Sequence, residues 1–460
     1  MSEQSGHLRP PLAMDDFFTA RRDSRRKRRA QGRKIRKQVP LASMADLPGQ
    51  RGNALDLLAG QERDRLPPLI ALRHERMTGD PFAFLRGAAI VMADDLSRTP
   101  HSGIMVQLCG DAHIANFGLF ASPQRNLVFD LSDFDETLPG PFEWDVKRMA
   151  ASLVVAGEVN DHKDKQIRKA TLAAVRSYRE TMQKLSRMRT LDVWYARLDF
   201  DDLLQAARKT PLGKAAERAG KRAGKRTGDS AVAKFTEVVD GSRRFRSDPP
   251  LLVRVPDEDR ARVEHDLSAI YAQYLATLPP DRIALLLRFS FLDVAHKVVG
   301  VGSVGTRALV MLLESGDSEP LILQIKQATA SVLEPYLGPS EFSESGKRVV
   351  IGQRVMQAAG DPFLGWCHSF GAEPFDFYAR QLRDMKGAIE AVDLDPDALQ
   401  VYGQVCGAVL ARAHARGGNP ALIAGYLGDD ETFDEAVTEF AVGYADLNRA
   451  DYKALRAGVS

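Results

Sequence analysis

Apolar and polar residues recur with two different periods along this chain. From Asp80 to Leu96 the apolar residues return every three or four positions, which predicts a helix that begins at Asp80 and Pro81. Two short apolar runs of strand length follow, GIMVQLCGD and NLVFDLSDF. Helical periodicity then continues over three segments, at 141–155, 163–204 and 257–277.

The pattern changes at Asp293. DVAHKVV and RALVMLLE alternate on both sides of a glycine cluster, and LILQIKQA is a third apolar run, so we predict a small antiparallel sheet. Further along the chain we predict a helix from about Ser340 to Ala358, strands in LGWCHS and FDFYARQL, and helices near 399–416 and 434–455. The expected fold class is therefore α+β.

The length of 460 residues indicates two or three compact units. We expect a disordered basic arm over residues 1–45, a helical lobe over 46–289, a small β lobe over 290–385, and C-terminal helices over 386–460 that return to the helical lobe. Residues 208–248 are rich in Lys, Arg and Gly, which is typical of an exposed insertion or a solvated helix.

Positive charge is concentrated near the N-terminus. The chain has a net charge of +2, whereas Arg21 to Lys37 contains eleven Lys or Arg residues and one Asp, so the rest carries about −8. Such a run is either a solvated leader or an electrostatic contact to nucleic acid or an anionic surface. The leader is favoured, because no aromatic residue lies within the run to stack on bases.

Cysteine usage and hydropathy indicate the compartment. Cys109, Cys367 and Cys406 form no CxxC pair, so neither a disulfide framework nor a zinc ribbon is predicted. The sequence contains neither a signal-peptide core nor a run of about eighteen apolar residues. We therefore expect a cytoplasmic protein without a membrane span.

The glycine cluster lies between two predicted strands. Gly300, Gly302 and Gly305 fit GxGxxG, and Ser303 lies within the same turn. A dinucleotide-binding unit is disfavoured, because RALVMLLE continues as a strand where that unit has a helix. A glycine turn without any ligand is the simpler alternative.

A lysine on the third strand completes the arrangement of the protein-kinase phosphate clamp. Lys326 has this position in LILQIKQA, where glycine amides and an ammonium group would contact a triphosphate. In kinases the lysine pairs with a helix glutamate, and the candidates are Glu334 and Glu344, with Gln353 or Gln357 as replacements. A lysine that extends from a strand end to water is the alternative.

The stretch CGDAHIANFG contains three residues that are also typical turn formers. GDAHIAN resembles the HGDxHxxN catalytic loop of the aminoglycoside-phosphotransferase branch of the kinase-like superfamily, with Cys109 in place of the first histidine. The resemblance implies that Asp111 is the catalytic aspartate, that His113 accompanies it, and that Asn116 binds the metal.

In that branch a metal-binding aspartate follows the next strand, and a structural aspartate lies in a later helix. The resemblance makes Asp133 in DFDE the favoured metal ligand, with Asp130 and Asp135 as alternates. Asp145 and Arg148 are interpreted as support beneath the loop. Mg2+ prefers oxygen ligands, and one Asn with one Asp is sufficient because water fills the remaining positions.

The motifs occur in the opposite order to that of kinases, because the catalytic loop precedes the glycine cluster. The resemblance therefore implies a two-lobed, protein-kinase-like fold that is circularly permuted, as is tolerated where termini lie close together at a surface. The helix VYGQVCGAVLARAHARGG resembles the helix that normally leads into the catalytic loop.

Over residues 60–455 the chain also resembles the uncharacterised bacterial domain-of-unknown-function 2252 family, through FLRGAA, CGDAHxxNFG, DFDE and GQRVMQAAGDPFLGW. That resemblance implies no reaction. The kinase-like motifs imply an ATP- and Mg2+-dependent phosphotransferase that acts on a hydroxyl group of a small molecule. Protein substrates and nucleotidyl transfer stay open.

Two other classes of function remain alternatives. The first is a catalytically inactive nucleotide-binding or nucleic-acid-associated protein that uses the basic arm from Arg21 to Lys37. The second is a metal-dependent hydrolase that uses Asp111, His113, Asp130 and Asp133. The hydrolase would not need a glycine loop.

Overall fold

The computed structural model describes residues 22–298, 304–370, 374–382 and 385–459. Helices predominate in these residues and the strands form antiparallel sheets, which confirms the predicted α+β class. The described helices are α1 (Arg25–Gln38), α2 (Ala54–Glu62), α3 (Ile70–Met77), α4 (Pro81–Gly87), α5 (Ala89–Ser97), α6 (Glu143–Val159), α7 (Asp164–Leu185), α8 (Thr190–Tyr195), α9 (Phe200–Ala207), α10 (Gly213–Lys225), α11 (Gly228–Phe235), α12 (Asp257–Ala276), α13 (Pro280–Leu286), α14 (Glu334–Leu337), α15 (Ser345–Met356), α16 (Pro396–Gly417), α17 (Pro420–Leu427) and α18 (Thr432–Val459). The described strands are β1 (Met105–Leu108), β2 (Phe117–Ala121), β3 (Leu127–Leu131), β4 (Leu138–Pro141), β5 (Thr236–Val239), β6 (Ser242–Phe245), β7 (Leu252–Arg254), β8 (Phe289–Lys297), β9 (Ala308–Ser315), β10 (Pro320–Ala328), β11 (Gly365–His368) and β12 (Asp376–Gln381).

The largest sheet consists, in the described residues, of six strands in the order β11-β12-β10-β9-β8-β7. Strands β8, β9 and β10 are the three apolar runs that the sequence pattern predicts. The sheet extends across the predicted boundary at residue 290, because β7 pairs with β8 and Tyr274 of α12 lies in the apolar core of the sheet. A three-residue edge strand is too short to show a period in the sequence.

The larger apolar core lies among helices α6, α7, α16 and α18. Helix α16 lies close against α7 because Gly407 faces its backbone, where an added Cβ would be only 2.2 Å from the Ala174 carbonyl oxygen. The C-terminal helices therefore pack on the segment that follows the predicted catalytic loop. No helix among the described residues is long and apolar enough to cross a membrane.

The prediction of a disordered arm over residues 1–45 is wrong for the part that the structure describes. Residues 25–38 form α1, and the Ser24 side chain caps it by accepting a hydrogen bond from the Lys27 amide. An added Cβ at Gly32 would lie 2.2 Å from the Leu422 carbonyl oxygen, so this glycine allows α1 to contact α17 directly. Residues 1–21 lie outside the described residues.

Side chains on the same face of α1 also contact the core. Ile35 and Val39 pack against it, and Arg29 donates hydrogen bonds to Ser186 Oγ at 2.9 Å and to Gln183 Oε1 at 2.7 Å. This face is narrow, and the surrounding Arg and Lys residues conceal it in the sequence. The helix therefore forms because α7 and α17 provide a surface for it.

The Lys- and Arg-rich segment after residue 208 contains α10, which fits the expected solvated helix. Its alanines Ala216, Ala219 and Ala223 are buried, whereas Lys214, like most of its charged side chains, is exposed. Small residues on one face therefore attach a strongly charged helix to the protein.

We predict that Gly32→Ala displaces α1. The added Cβ would overlap the backbone of α17, and overpacking of this kind costs about 1–3 kcal/mol. Trypsin cleavage within α1 should become faster by roughly tenfold for each 1.4 kcal/mol lost. Gly224→Ala in α10 is the control, because nothing lies within 4 Å of its added Cβ. Equal cleavage rates in both variants would contradict the close packing of α1 on α17.

Candidate functional site

The loop that contains Asp111 lies between β1 and β2. Gly110 within it has a φ of +85°, and an added Cβ would lie 2.2 Å from the Glu136 carbonyl oxygen, so this position requires glycine. Asp145, in the first turn of α6, accepts hydrogen bonds from the amides of Cys109 at 2.7 Å and Gly110 at 3.0 Å. One carboxylate therefore determines the position of the loop.

Asp145 is part of a buried chain of hydrogen bonds. His414 Nε2 on α16 lies 3.1 Å from Asp145 Oδ2, and His414 Nδ1 lies 2.9 Å from the hydroxyl of Tyr178 on α7. In the tautomer with a proton on Nε2, His414 donates to Asp145 and accepts from Tyr178. Three core helices thus converge beneath the loop, in agreement with the supporting role expected for Asp145.

Asp111 is oriented by an arginine. Arg148 Nε donates to Asp111 Oδ1 at 2.8 Å, and a second nitrogen of the same guanidinium donates to the Leu85 carbonyl oxygen at 2.7 Å. The other oxygen of Asp111 lies 3.6 Å from His113 Nε2. Burial raises the pKa of Asp111, although the charge of Arg148 opposes that rise. Burial also lowers the pKa of His113 well below its usual value.

Asn116 joins the loop that contains Asp111 to the segment after β3. Its Nδ2 donates to the Asp111 carbonyl oxygen at 2.9 Å and to the Asp133 carbonyl oxygen at 3.2 Å. Burial and the neighbouring charge of Asp135 raise the pKa of Asp133. Placing a cation beside Asp133 would therefore be electrostatically favourable.

Lys326 reaches the same cluster from the sheet. Its ammonium group forms an ion pair with Asp135, whose Oδ1 accepts a hydrogen bond from the Tyr378 hydroxyl at 2.8 Å. Burial by itself would lower the pKa of Lys326. The negative charges of Asp133 and Asp135 have the larger combined effect and raise this pKa overall. Burial likewise disfavours the Asp135 carboxylate, yet Lys326 lowers the pKa of Asp135 overall.

The expected partners of Lys326 make other contacts. Glu334 Oε1 accepts from the Ser331 amide at 2.9 Å, and Glu344 lies 3.7 Å from His368 Nδ1. The two glutamines bond to each other, with Gln353 donating to Gln357 Oε1 at 2.9 Å. Asp135, which the sequence suggested as an alternate metal ligand, is the carboxylate that contacts the lysine.

The other alternate ligand, Asp130, points into the helical core. It is 4% exposed and forms an ion pair with Arg412 of α16, and its Oδ1 also accepts from the Leu131 amide at 2.8 Å. Asp130 therefore connects β3 to α16. Among the residues that the structure describes, the Asp111 and Asp133 cluster included, no group of three His, Cys, Asp or Glu side chains is placed to bind a metal ion.

Of the predicted glycine loop, Gly300, Gly302 and Ser303 lie outside the described residues. Gly305 has a φ of +94°, and its carbonyl oxygen accepts a hydrogen bond from the Leu66 amide at 2.8 Å. Arg65 donates to the Val304 carbonyl oxygen. The end of the loop is thus attached to the segment after α2.

A cavity of about 260 Å³ adjoins the Lys326 and Asp135 pair. Its lining is part polar and part apolar, and the polar side chains include Gln61, Asp64, Asp135, Glu136, Gln327 and Ser331. Burial raises the pKa of Glu136 to about 7, although Arg348 and a hydrogen bond from the Val332 amide oppose the rise. The volume is suited to a small polar molecule.

Sequence reasoning missed Tyr378 and Glu136. Tyr378 lies opposite Lys326 only through the pairing of β10 with β12, which no local motif reveals. Glu136 is the last residue of DFDE, and its position beside a predicted metal ligand was the available signal. Its environment depends on residues 331–348, which are distant in sequence.

The chain belongs to a family described as "Uncharacterized protein conserved in bacteria (DUF2252)", whose model matches residues 65–458. This match confirms the family resemblance read from the sequence. Searches of curated proteins and of solved structures found no match.

We predict that Glu136 makes stability dependent on pH. Since folding raises the pKa of Glu136 from 4.5 to about 7, its stabilising contribution is complete below about pH 4.5 and is lost as pH rises through 7. Glu136→Gln should therefore gain stability relative to wild type as pH rises from about 4.5 to about 7, with a constant difference above that, measured as the urea midpoint. Glu237→Gln on exposed β5 is the control, and an identical pH response in both variants would refute the shift.

Proposed function

We propose that the protein is a Mg2+-dependent phosphotransferase of kinase-like type that uses ATP and acts on a hydroxyl group of a small molecule. The observation that carries the proposal is the cluster formed by Asp111, Asn116, Asp133, Asp135 and Lys326. Lys326 and Asp135 are 191 positions apart in the sequence, yet they form an ion pair beside the catalytic-loop motif. The family description does not supply a reaction, so the proposal depends on this site.

The order of elements in the sheet supports the proposal. The turn that includes Gly305 connects β8 to β9, Lys326 lies on the third strand, β10, and helix α15 follows before the chain returns to the sheet. Protein kinases likewise place a glycine-rich loop over the phosphates and a lysine on the third strand, with a helix after it.

The contact of α16 with the loop supports a circularly permuted, two-lobed kinase-like fold. His414 of α16 hydrogen-bonds Asp145, which anchors Cys109 and Gly110. The helix that resembles the one preceding a kinase catalytic loop therefore lies beneath this loop, although it comes about 300 residues later in the chain.

The residues that would hold Mg2+ are Asn116 and Asp133. Both offer oxygen ligands, and burial together with the charge of Asp135 raises the pKa of Asp133 although Lys326 and Arg380 oppose the rise. When bound, Mg2+ would neutralise charge on the phosphate oxygens. Asp135 would offer a further oxygen ligand if Lys326 contacted the phosphates in its place.

Asp111 would receive the proton of the acceptor hydroxyl. One of its oxygens is oriented by Arg148, so the carboxylate has a defined direction. Its raised pKa makes it a better proton acceptor than an exposed aspartate. The cavity lined by Asp135 and Glu136 would hold the acceptor. The hydrolase alternative is less well supported, because Asp130, one of its four residues, is paired with Arg412.

We expect calorimetric titration to show ATP binding that requires Mg2+. Asp133→Ala should abolish the Mg2+ dependence, and Lys326→Met should weaken binding by roughly 10- to 150-fold, since a hydrogen bond to a charged group contributes about 1.5–3 kcal/mol. Lys165→Met, at an exposed position on α7, is the matched control and should bind as the wild type does.

Absence of ATP binding by the folded wild type would refute the proposal. If ATP binds, incubation with hydroxyl-bearing small molecules separates the remaining alternatives. Release of ADP indicates phosphoryl transfer, whereas release of pyrophosphate indicates nucleotidyl transfer. Binding without either product would favour the inactive nucleotide-binding alternative.

A further inference from the structure

Helix α1 presents a basic stripe on the side opposite its contact with the core. Arg26, Arg33, Lys34 and Lys37 are exposed and follow a spacing of seven, eight and eleven residues, which places them on one face. The helix itself contains no acidic residue. Its opposite face contacts α17 through Gly32.

The stripe continues onto the end of α7. Arg25 Nη1 donates to the Arg187 carbonyl oxygen at 3.0 Å, and Lys184, Arg187 and Arg189 are exposed beside it. Arg29 fixes this junction through its bonds to the Gln183 and Ser186 side chains. The cations therefore project from an ordered backbone, which reduces the entropy lost on binding.

Large apolar side chains are exposed next to these cations. Met188, Leu191, Trp194 and Tyr195 are 36%, 64%, 44% and 71% exposed, and they lie within eight residues of one another in and before α8. Exposed apolar groups that cluster in this way mark interaction surfaces. Arg416 attaches α8 to α16, with its guanidinium 3.9 Å from the centre of the Trp194 ring.

We propose that this surface, formed by the exposed face of α1 and residues 184–195, binds membranes that contain anionic lipid. Cations beside exposed Leu, Trp and Tyr side chains are the combination that peripheral binding requires, because phosphate headgroups attract the cations and apolar groups enter the interfacial region. The surface shares no residue with the proposed ATP site, and this proposal does not depend on that site.

The same residues fit nucleic acid less well. Single-stranded nucleic acid needs free aromatic faces for stacking, and one face of Trp194 is already covered by Arg416. Met188 and Leu191 offer no stacking surface or hydrogen bond to a base. Insertion among lipids would account for the exposure of both aliphatic side chains.

The test is sedimentation of the full-length protein with vesicles of phosphatidylcholine alone or with about 30% phosphatidylserine. We expect binding only to the anionic vesicles, and weaker binding at high salt. Arg26→Glu with Arg33→Glu should reduce binding at least tenfold, because each cation contributes about fivefold at such a surface. Leu191→Ser with Tyr195→Ser should also weaken it.

The matched control is Lys165→Glu with Lys169→Glu, which makes the same change of charge at exposed positions on α7. Failure of the wild type to bind anionic vesicles, or an equal loss in the control, would overturn the proposal. So would binding to a DNA oligonucleotide that depends on Arg26 and Arg33 but not on Leu191 and Tyr195, in the absence of vesicle binding. Unchanged urea midpoints would show that each variant is folded.

Discussion

The centre of this structure depends on the hydrogen bonds that stabilise one buried carboxylate, that of Asp145. Asp145 is 2% exposed, and its oxygens accept from two loop amides and from His414. A buried charge without such partners would be strongly destabilising, so α6, α7 and α16 must meet at this point. The hydrogen bonds to Asp145 fix the position of the loop that contains Asp111. The sheet contributes Lys326 to the same cluster, where it pairs with Asp135.

The three carboxylates of the cluster have different environments. Asp135 is matched by Lys326 and Asp111 by Arg148, whereas the raised pKa of Asp133 reflects burial next to another carboxylate. Carboxylates with strongly perturbed pKa values cluster at the functional sites of proteins. The proposed nucleotide site depends on this arrangement of carboxylates.

Glycine contacts determine how closely α1 and α16 approach their neighbouring helices. Gly32 in α1 and Gly407 in α16 let a helix approach a neighbouring backbone to distances that a Cβ would prevent. Such contacts bury little apolar surface and leave only weak periodicity in the sequence. The basic segment was predicted to be disordered for this reason, since eleven cations obscured the short face formed by Gly32, Ile35 and Val39.

The sequence by itself determined the α+β class, the main strands and helices, and the family, because apolar periodicity and linear motifs are local properties of a chain. It also indicated Asp111, Asn116, Asp133 and Lys326 as candidates. Only the tertiary structure decided that Lys326 pairs with Asp135 and that the Tyr378 hydroxyl donates to the same carboxylate. It also decided that Asp130 forms an ion pair with Arg412. These pairings join residues far apart in the sequence, and they follow from strand register and from the packing of α16, neither of which a local pattern encodes.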